Sequence, residues 1–546
     1  MNKLIIYQVL PRLFTNYSPA RVPNGTREQN GCGKMADITP KALKAIYDLG
    51  ATHVWYTGII RYATAERNNP AITKGKAGSP YAITDYYDVQ PDIAKDESKR
   101  MQEFVALVKR THKAGLGVIM DFVPNHVSRE YKSLAKPKGV VDLGEKDHPE
   151  WAFSPLNNFY YVPGQAFTMD KDLNGYGEFP AKVTGNDCFT SHPGVNDWYE
   201  TVKLNYGVYY QGGGEKQFNP IPDTWIKMRD IVLFWASKGI DGLRVDMAEM
   251  VPVEFFDWMI PQVKEKYPEL LFIGECYDPN KYWSYIHAGF DYLYDKVGMY
   301  DYLRGVISKG WSAEGISTRW MERGDLLKNM LYFLENHDEQ RLASGFFSGS
   351  GLCAEPAMIV AATLTPNPLL IYMGQELGEK GMDFEGFSGI DGRTTIFDYW
   401  GVKSLQAWAN GGKFDGAGLD EEQRSLRAFY QRLLCIARDN KAVTDGKMYD
   451  VVYAQRENFN RQRQYAFLRK AEEETLLIVT NFDDRAVETD VYIPTDAFVY
   501  LKMDERAEVK MTDLLTGKEY TMPFNDHQPV RLSLEAWKGV ILRLTM

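Results

Sequence analysis

Residues 225–246 read WIKMRDIVLFWASKGIDGLRVD, and this stretch indicates the fold class. Its large apolar residues recur at the spacing of one helix face: Trp225, Met228, Val232 and Trp235. Gly239 is a typical helix end, and Ile240–Val245 then reads as a short strand. A helix that leads directly into a buried strand is the repeating unit of a parallel α/β fold.

The same alternation of strands and helical periods continues on both sides of this unit. Eight short strands are predicted: Ile5–Leu10, Thr52–Tyr56, Leu116–Phe122, Ile240–Val245, Leu270–Gly274, Phe290–Leu293, Met330–Leu334 and Leu369–Met373. A helix is predicted over Lys41–Leu49, and others separate the later strands. Eight such units over roughly 430 residues predict an α/β fold that closes as a (β/α)₈ TIM barrel.

Two segments break this rhythm. Residues 127–222 are rich in Gly, Pro, Asn and aromatics and show no long helical period, which predicts an irregular domain inserted after strand 3. Near the C-terminus, short alternating strands are typical of an antiparallel β-sandwich: Gln464–Arg469, Thr475–Asn481, Val487–Ile493 and Val540–Thr545. We therefore predict barrel segments at 1–126 and 223–440, the inserted domain at 127–222 and the sandwich at 441–546.

Composition narrows the class of protein. The formal net charge of the 546 residues is −10, which gives no reason to expect nucleic acid or an anionic membrane as a partner. The five cysteines are widely spaced and form no C-x-x-C pair, so neither a disulfide framework nor a zinc site is expected. Aromatics make up 13%, and their flat faces suit sugar rings as well as large cores.

The sequence gives two expectations about location. No run of about 18 apolar residues occurs, so no membrane span is expected. The N-terminus, MNKLIIYQVLPRLF, lacks a small-residue cleavage site after its short apolar stretch, which resembles a strand. We expect a cytoplasmic protein, and export with a removed signal is the alternative.

Polar residues gather where the predicted strands end. In a TIM barrel the active site lies at the C-terminal ends of the strands. Strands 3, 4, 5 and 7 are followed or ended by Asp121, Asn125, His126, Arg244, Asp246, Glu275, Asn336, His337 and Asp338. Any one of these residues alone is more often structural, Asp121 in particular, whereas the four strand ends together favour an active site.

The chemistry of this set is that of acetal hydrolysis. One carboxylic acid must protonate the leaving oxygen, and a second carboxylate must attack or assist at the anomeric carbon. Crowded carboxylates raise one another's pKa, which keeps the acid protonated. Because strand side chains alternate, Arg244 and Asp246 lie on one face, and the arginine can keep the carboxylate ionised.

Four motifs carry a resemblance to a known family. DFVPNH (121–126), GIDGLRVD (239–246), GECYD (274–278) and ENHD (335–338) resemble the four ordered regions of the α-amylase family. Their spacing also matches, with 29 residues from Asp246 to Glu275 and 63 from there to Asp338. IYQVLPRLF, SPYAITDYYDV and IYMGQELG are similar to further family segments, so the resemblance covers about residues 3 to 400.

The resemblance implies a role for each matching position. Asp246 is similar to the nucleophile, Glu275 to the general acid/base and Asp338 to the third carboxylate, which holds sugar hydroxyls. The remaining matches imply substrate binding: Arg244 supports the nucleophile, His126 and His337 contact the sugar before the cut, and Tyr81 is its stacking platform. Residues 127–222 resemble the domain B of the family.

The sequence also departs from the family pattern. Where α-1,4-active members often carry Lys-His to contact the leaving-side sugar, this chain has Glu249 and Met250. Ala82 stands where an Asp often follows the stacking Tyr, and the loop NGCGKMADI lacks one type of calcium-binding acidic run. Asn125 matches a calcium ligand of some members, whereas in others this Asn only forms hydrogen bonds. The sequence therefore leaves open whether the protein binds calcium. No organic cofactor is expected.

The function that the resemblance implies is a retaining glycoside hydrolase that cleaves α-1,4-glucosidic bonds in starch-type α-glucans and malto-oligosaccharides. Adjacent parallel strands lie about 4.8 Å apart, which suits the roughly 5–5.5 Å carboxyl separation of retaining enzymes. The alternatives are a 4-α-glucanotransferase or a cyclomaltodextrinase of the same family, and a catalytically inactive carbohydrate-binding scaffold. We expect a monomer or a small homo-oligomer with an α-glucan as substrate.

Overall fold

The fold is built around a closed barrel of eight parallel strands, seen in a computed structural model that describes residues 3–472 and 474–545. The strands are β1 Ile5–Val9, β2 His53–Tyr56, β3 Gly117–Phe122, β4 Gly242–Val245, β5 Leu271–Gly274, β6 Tyr292–Tyr294, β7 Met330–Phe333 and β8 Leu369–Tyr372. β1 pairs with both β2 and β8, which closes the barrel. The predicted (β/α)₈ fold is confirmed.

Helices cover the outside of the barrel, and most bury one apolar face against it, whereas Glu355–Thr363 is buried on all sides. The longer ones are Pro40–Leu49, Arg100–Lys113, Asp223–Ala236, Val253–Lys266, Asp301–Lys309, Glu355–Thr363 and Glu421–Asp439, with shorter ones at Tyr282–His287, Gly315–Met321 and Lys403–Ala409. Trp225, Met228, Val232 and Trp235 are all buried, as their helical spacing predicts. Gly50, with φ at 113°, ends the first of these helices in a conformation that favours glycine.

Strand β6 starts later than the sequence indicates. Phe290, the predicted first residue, donates its backbone N–H to Tyr285 O and so closes the preceding helix. Its ring packs 4.9 Å from the ring of Phe256 in the helix layer. The apolar character of this residue therefore comes from packing outside the barrel, and pairing begins at Tyr292.

The inserted segment 127–222 consists of short strand pairs and loops. His126–Ser128 pairs with Thr201–Lys203, Tyr161–Val162 with Ala181–Lys182, and Val208–Tyr209 with Glu215–Lys216. The first pair matches His126 with Lys203, so the start of the segment and a strand from its later part lie side by side directly beyond β3. This pairing holds the inserted domain over the mouth of the barrel.

The C-terminal part is a six-stranded antiparallel sheet that faces a two-stranded one. The six strands, in spatial order, are Lys447–Asp450, Gln464–Ala471, Glu474–Asn481, Gly539–Thr545, Arg506–Asp513 and Glu519–Phe524, and the pair is Val487–Val491 with Val530–Leu534. All four predicted strands occur. The helix Thr495–Leu501 and four strands were not predicted from the sequence. One of these strands is Arg506–Asp513, in which half of the residues are exposed.

The central strands Gln464–Ala471 and Glu474–Asn481 of the six-stranded sheet are buried on both faces. Leu468 and Leu477 pack against the two-stranded sheet, whereas their neighbours Phe467 and Ile478 join the core of the barrel domain. Arg469 lies in this interface and is 1% exposed. It donates hydrogen bonds to the backbone carbonyls of Leu364 in the barrel domain and of Ala442 and Val443, which precede the first strand of the sheet. Because side chains alternate along each strand, one face of the sheet packs in the C-terminal domain and the other packs against the barrel domain.

The helices were also compared with the requirements of a membrane span. Among residues 3–472 and 474–545, none of the helices is both long enough and apolar enough to cross a bilayer.

Candidate active site

The ends of β4 and β5 bring two carboxylates to one arginine. Arg244, the third residue of β4, is 1% exposed, and its Nη1 lies 2.6 Å from Asp246 Oδ1. Its Nη2 lies 2.8 Å from Glu275 Oε2. Arg244 and Asp246 share a strand face as the alternation predicts, and Glu275 follows the neighbouring strand, so a single planar guanidinium bridges both carboxyl groups.

Electrostatics of the pair follow from burial and crowding. Burial raises the pKa of Asp246, Arg244 opposes this, and the negative charges of Glu275, Asp121 and Asp338 raise it again. Such a group of interacting carboxyls takes up a proton more readily than an isolated carboxyl. The arrangement can therefore hold one proton and one negative charge side by side, which acid-assisted displacement needs.

Glu275 is held by groups on two loops. Tyr277 donates its hydroxyl to Glu275 Oε1 at 2.7 Å, and the backbone N–H of Met247 donates to Oε2 at 2.8 Å. Met247 adopts a φ of 43°, uncommon for a residue with a side chain, and strain of this kind persists where the surroundings fix it. The two contacts fix the position of both oxygens of the carboxyl group.

Glu249, which stands where the family pattern has a different residue, makes specific contacts in the structure. Its Oε2 accepts backbone N–H groups of Tyr277 at 3.2 Å and Asp278 at 3.0 Å, so the side chain turns towards the loop after β5. It is absent from the lining of the cavity at the barrel mouth, where Met247 and Tyr277 lie. Glu249 therefore shapes the loop that presents Tyr277.

The end of β7 supplies a third carboxylate beside an aromatic pair. His337 Nε2 lies 3.0 Å from Asp338 Oδ2 and 2.6 Å from the hydroxyl of Tyr81. The Tyr81 and His337 rings stack with centroids 5.2 Å apart. Desolvation raises the pKa of Asp338, but His337, Arg244 and Arg393 together outweigh this and lower it to about 2, so this carboxylate is ionised at neutral pH.

Asp121 belongs to the same network. Its Oδ2 accepts the indole N–H of Trp55 at 3.0 Å, and its Oδ1 lies 3.4 Å from Tyr81 Oη and 3.5 Å from Arg244 Nη1. Burial raises its pKa, and the arginine, histidine and hydrogen bonds lower it. Asp121 thus links the stacking tyrosine to the arginine beneath the two carboxylates.

His126 sits at the boundary of the inserted domain. Its ring lies 5.3 Å from that of Trp198. Burial lowers the pKa of His126 to about 3, and the positive charges of Lys203 and Lys74 contribute. The ring is therefore neutral at physiological pH and acts as a hydrogen-bonding group.

A cavity of about 330 Å³ opens above these residues. The barrel mouth contributes its floor, the inserted domain contributes one wall with Trp198, and the segment after β8 contributes Phe397. Five of the predicted site residues line it: Tyr81, His126, Asp246, Glu275 and Asp338. Arg244 and His337 lie beneath, 1% and 3% exposed, and hold the lining side chains.

Several residues of the site were not predicted. Gln8 donates its amide to His337 Nδ1 at 2.8 Å, and a polar residue inside the apolar run IIYQVL was a signal for it. Tyr277 lies two residues beyond Glu275, a spacing that places side chains on one face of an extended chain. Lys74, which pairs with Glu200 at 2.8 Å on the cavity wall, carries no such signal.

The contacts of Asn125 bear on the calcium alternative. Its Oδ1, the atom that would bind a metal, accepts Lys203 Nζ at 2.5 Å, and its Nδ2 donates to Gly185 O at 2.8 Å. An ammonium group and a Ca²⁺ ion cannot share one position, so the residues present do not fit a calcium ion on Asn125. Hydrogen bonding is the role these contacts favour.

Comparison with known proteins gives concordant matches. A family model described as alpha amylase, catalytic domain, matches residues 8–462. Neopullulanase 2 of Thermoactinomyces vulgaris is 22% identical over 551 residues, which cover 98% of this chain and 77% of that protein. The cyclomaltodextrinase of a Bacillus sp is 22% identical, with 88% and 72% covered. The structure of a noncanonic maltogenic alpha-amylase from Thermotoga neapolitana matches with a TM-score of 0.64 at 18% identity, covering 100% and 99%, and shows the shared fold.

Proposed function

The chain belongs to the α-amylase family, and on this premise we propose that it is a retaining hydrolase of α-1,4-glucosidic bonds in malto-oligosaccharides and starch-type α-glucans. The observation that carries the proposal is the bridge made by Arg244 between Asp246 and Glu275 at the floor of a cavity. Two carboxyl groups held by one cation, with Asp338 as a third, supply an acid and a nucleophile.

The proposed reaction has two steps. Asp246 attacks the anomeric carbon as the bond to the leaving oxygen breaks, and Glu275 transfers its proton to that oxygen. Water then attacks the same carbon, Glu275 takes the proton of the water, and Asp246 is released as a carboxylate. Asp338, ionised and 44% exposed to the cavity, binds hydroxyls of the distorted sugar.

The proposed sugar subsite before the cut uses the groups around Tyr81. The Tyr81 ring offers a flat face, and its position is fixed by His337 and Asp121. A neutral His126 adds a hydrogen-bonding group to the lining of the same cavity. Contacts within the protein position Tyr81 without substrate, which lowers the entropic cost of binding.

We also propose a preference for short, soluble substrates. The cavity, about 330 Å³, is at the lower end of the roughly 300–1,000 Å³ typical of small-molecule sites. On the leaving side, Glu249 is committed to backbone N–H groups of the β5 loop and does not reach the cavity. Fewer contacts with a leaving-side sugar favour oligosaccharides over the surface of a starch granule.

The experiment is a time course of products. The protein is incubated with maltoheptaose, cyclodextrin, pullulan, soluble starch and raw granules, and products are separated by chromatography, with Asp246→Asn as the matched control. The proposal expects maltoheptaose to be shortened much faster than granules are degraded, and Asp246→Asn to leave every substrate intact. Comparable rates on granules and maltoheptaose contradict the substrate preference.

The same time course separates the alternatives. Products longer than maltoheptaose at early times identify a glucanotransferase, in which a sugar hydroxyl replaces water in the second step. Ring opening of cyclodextrin ahead of maltoheptaose identifies a cyclomaltodextrinase, an activity carried by one of the matched relatives. Wild-type protein that binds the substrates but releases no product identifies an inactive scaffold.

A further inference from the structure

A buried lysine lies where three segments of chain approach the strand Thr201–Lys203 of the inserted domain. Lys203 Nζ is 2.5 Å from Asn125 Oδ1, 2.8 Å from Asp187 Oδ1 and 3.1 Å from the backbone oxygen of Met250. Its side chain is 2% exposed. One ammonium group, with three N–H donors, thus meets three oxygen acceptors.

The three acceptors come from separate parts of the fold. Asn125 follows β3, Met250 lies in the loop after β4, and Asp187 lies in a turn of the inserted domain. Lys203 itself precedes the return of the chain to the barrel, and its strand pairs with His126–Ser128. The ammonium group therefore ties the inserted domain to two adjacent barrel loops, next to His126 and the β4 loop of the active site.

Amide, carboxylate and backbone oxygens are the donors that bind calcium in proteins, but here their number and charge match an ammonium ion. Ca²⁺ takes about 6–8 oxygen ligands at roughly 2.3–2.6 Å, whereas three oxygens surround Lys203 Nζ, with one negative charge from Asp187. In residues 3–472 and 474–545, the one group of three acidic, His or Cys side chains close enough to share a metal is Glu505, Asp526 and His527, in the C-terminal domain.

We propose that the ammonium group of Lys203 takes the place of a metal ion at this position, so that the inserted domain is held on the barrel without calcium on Asn125. The inference goes beyond the proposed function, because it concerns domain attachment and is tested without substrate. The Asp187 carboxylate oxygen, 2.8 Å from Lys203 Nζ, favours the charged form of the lysine.

The test is the thermal unfolding midpoint of the full chain, measured by circular dichroism in EDTA and in excess CaCl₂. The difference between the two midpoints is the calcium response. Lys203→Ala removes the ammonium group and leaves the three oxygens. Lys264→Ala is the matched control, because Lys264 pairs with Asp291 at 2.9 Å away from the inserted domain.

The expected results separate the variants. In EDTA, Lys203→Ala unfolds about 5 °C or more below the wild type, because it leaves a carboxylate and two other acceptors without their cation, and Lys264→Ala loses less. The calcium response of Lys203→Ala exceeds that of the wild type, because Ca²⁺ can then contact the three vacated oxygens while water molecules complete its coordination. An equal response in the two proteins, or an unchanged midpoint in EDTA, overturns the proposal.

Asp187→Asn gives a second measurement should Lys203→Ala fail to fold. The Asp187 side chain is 37% exposed, so this change is mild and keeps the ammonium group. The proposal expects the calcium response of Asp187→Asn to equal that of the wild type. A response that the wild type shows and Asp187→Asn lacks would place calcium on these oxygens and overturn the proposal.

Discussion

The hydroxyl of Tyr277 lies 2.7 Å from Oε1 of Glu275 and donates a hydrogen bond to it. Oε2 faces the backbone N–H of Met247 and Nη2 of Arg244, each at 2.8 Å. Because neither nitrogen can accept a proton, the proton of a protonated Glu275 lies on Oε1, and the Tyr277 hydroxyl, which donates to the carboxylate, then accepts from it. Tyr277 is therefore a positioning residue for the proposed acid.

We predict that Tyr277→Phe lowers kcat on maltoheptaose about tenfold or more, because the proton on Oε1 loses its fixed partner. An aryl α-glucoside whose leaving group needs no proton should lose much less. The measurement is kcat and KM for both substrates. Tyr285→Phe is the matched control, since that hydroxyl donates to Val251 O at 2.8 Å outside the cavity. Equal losses on both substrates contradict the assignment.

A second prediction concerns pH. The proposed nucleophile acts as a carboxylate, so activity falls as the pH drops through the raised pKa of Asp246. Arg244 lowers that pKa, and its removal therefore raises it further. Arg244→Gln should lower kcat and move the acidic limb of the kcat/KM profile to higher pH by about one unit or more.

Asp338 does not complicate the profile. In the wild type, the pKa of Asp338 is lowered to about 2, so Asp338 is ionised above about pH 4. His126, with a pKa of about 3, is neutral over the same range. Loss of Arg244 raises the pKa of Asp338 as well as that of Asp246, so both shifts are in the same direction. The acidic limb therefore reports the raised pKa of Asp246. An acidic limb that stays in place or moves to lower pH in Arg244→Gln contradicts the role given to the arginine.

The third prediction is that the C-terminal domain stabilises the barrel. Truncation near residue 440 removes Phe467 and Ile478 from the barrel core and should give insoluble or heat-labile protein. Arg469→Met is the subtler test, because it leaves three backbone carbonyls without donors. It should lower the free energy of unfolding by about 2–4 kcal/mol, measured by urea denaturation.

Arg485→Met is the matched control for this interface, since the Arg485 side chain is 86% exposed. It should leave the free energy of unfolding unchanged. A soluble protein truncated near residue 440, with the melting temperature and activity of the full chain, would refute the stabilising role.

Much of the barrel was predictable because its signals are local. Apolar strands and amphipathic helices repeat along the chain, and alternation alone placed Arg244 and Asp246 on one face. The contact between Arg244 and Glu275, in contrast, depends on the pairing of β4 with β5, which the motif order indicated only through the family resemblance. Predicted roles of the site residues remain predictions.

The features that the sequence analysis missed depend on long-range contacts. Lys203 and Asn125 are 78 positions apart, and no local pattern marks either as the partner of the other. The strand Arg506–Asp513 went unnoticed because half of its residues are exposed, so its apolar content is low. Phe290 misled the prediction of β6, since a ring buried in the helix layer looks the same in sequence as one buried in the barrel.

We propose that Asp246 and Glu275 cleave an α-linked substrate through a covalent intermediate, with retention of the anomeric configuration. Their two carboxyl groups share Arg244, and adjacent strands carry them, which suits the roughly 5–5.5 Å separation of retaining enzymes better than the roughly 6.5–9.5 Å that admits an inverting water. Proton NMR of the first product formed from maltoheptaose tests the claim directly. We predict that the α-anomer appears first and then mutarotates, whereas an initial β-anomer would refute retention.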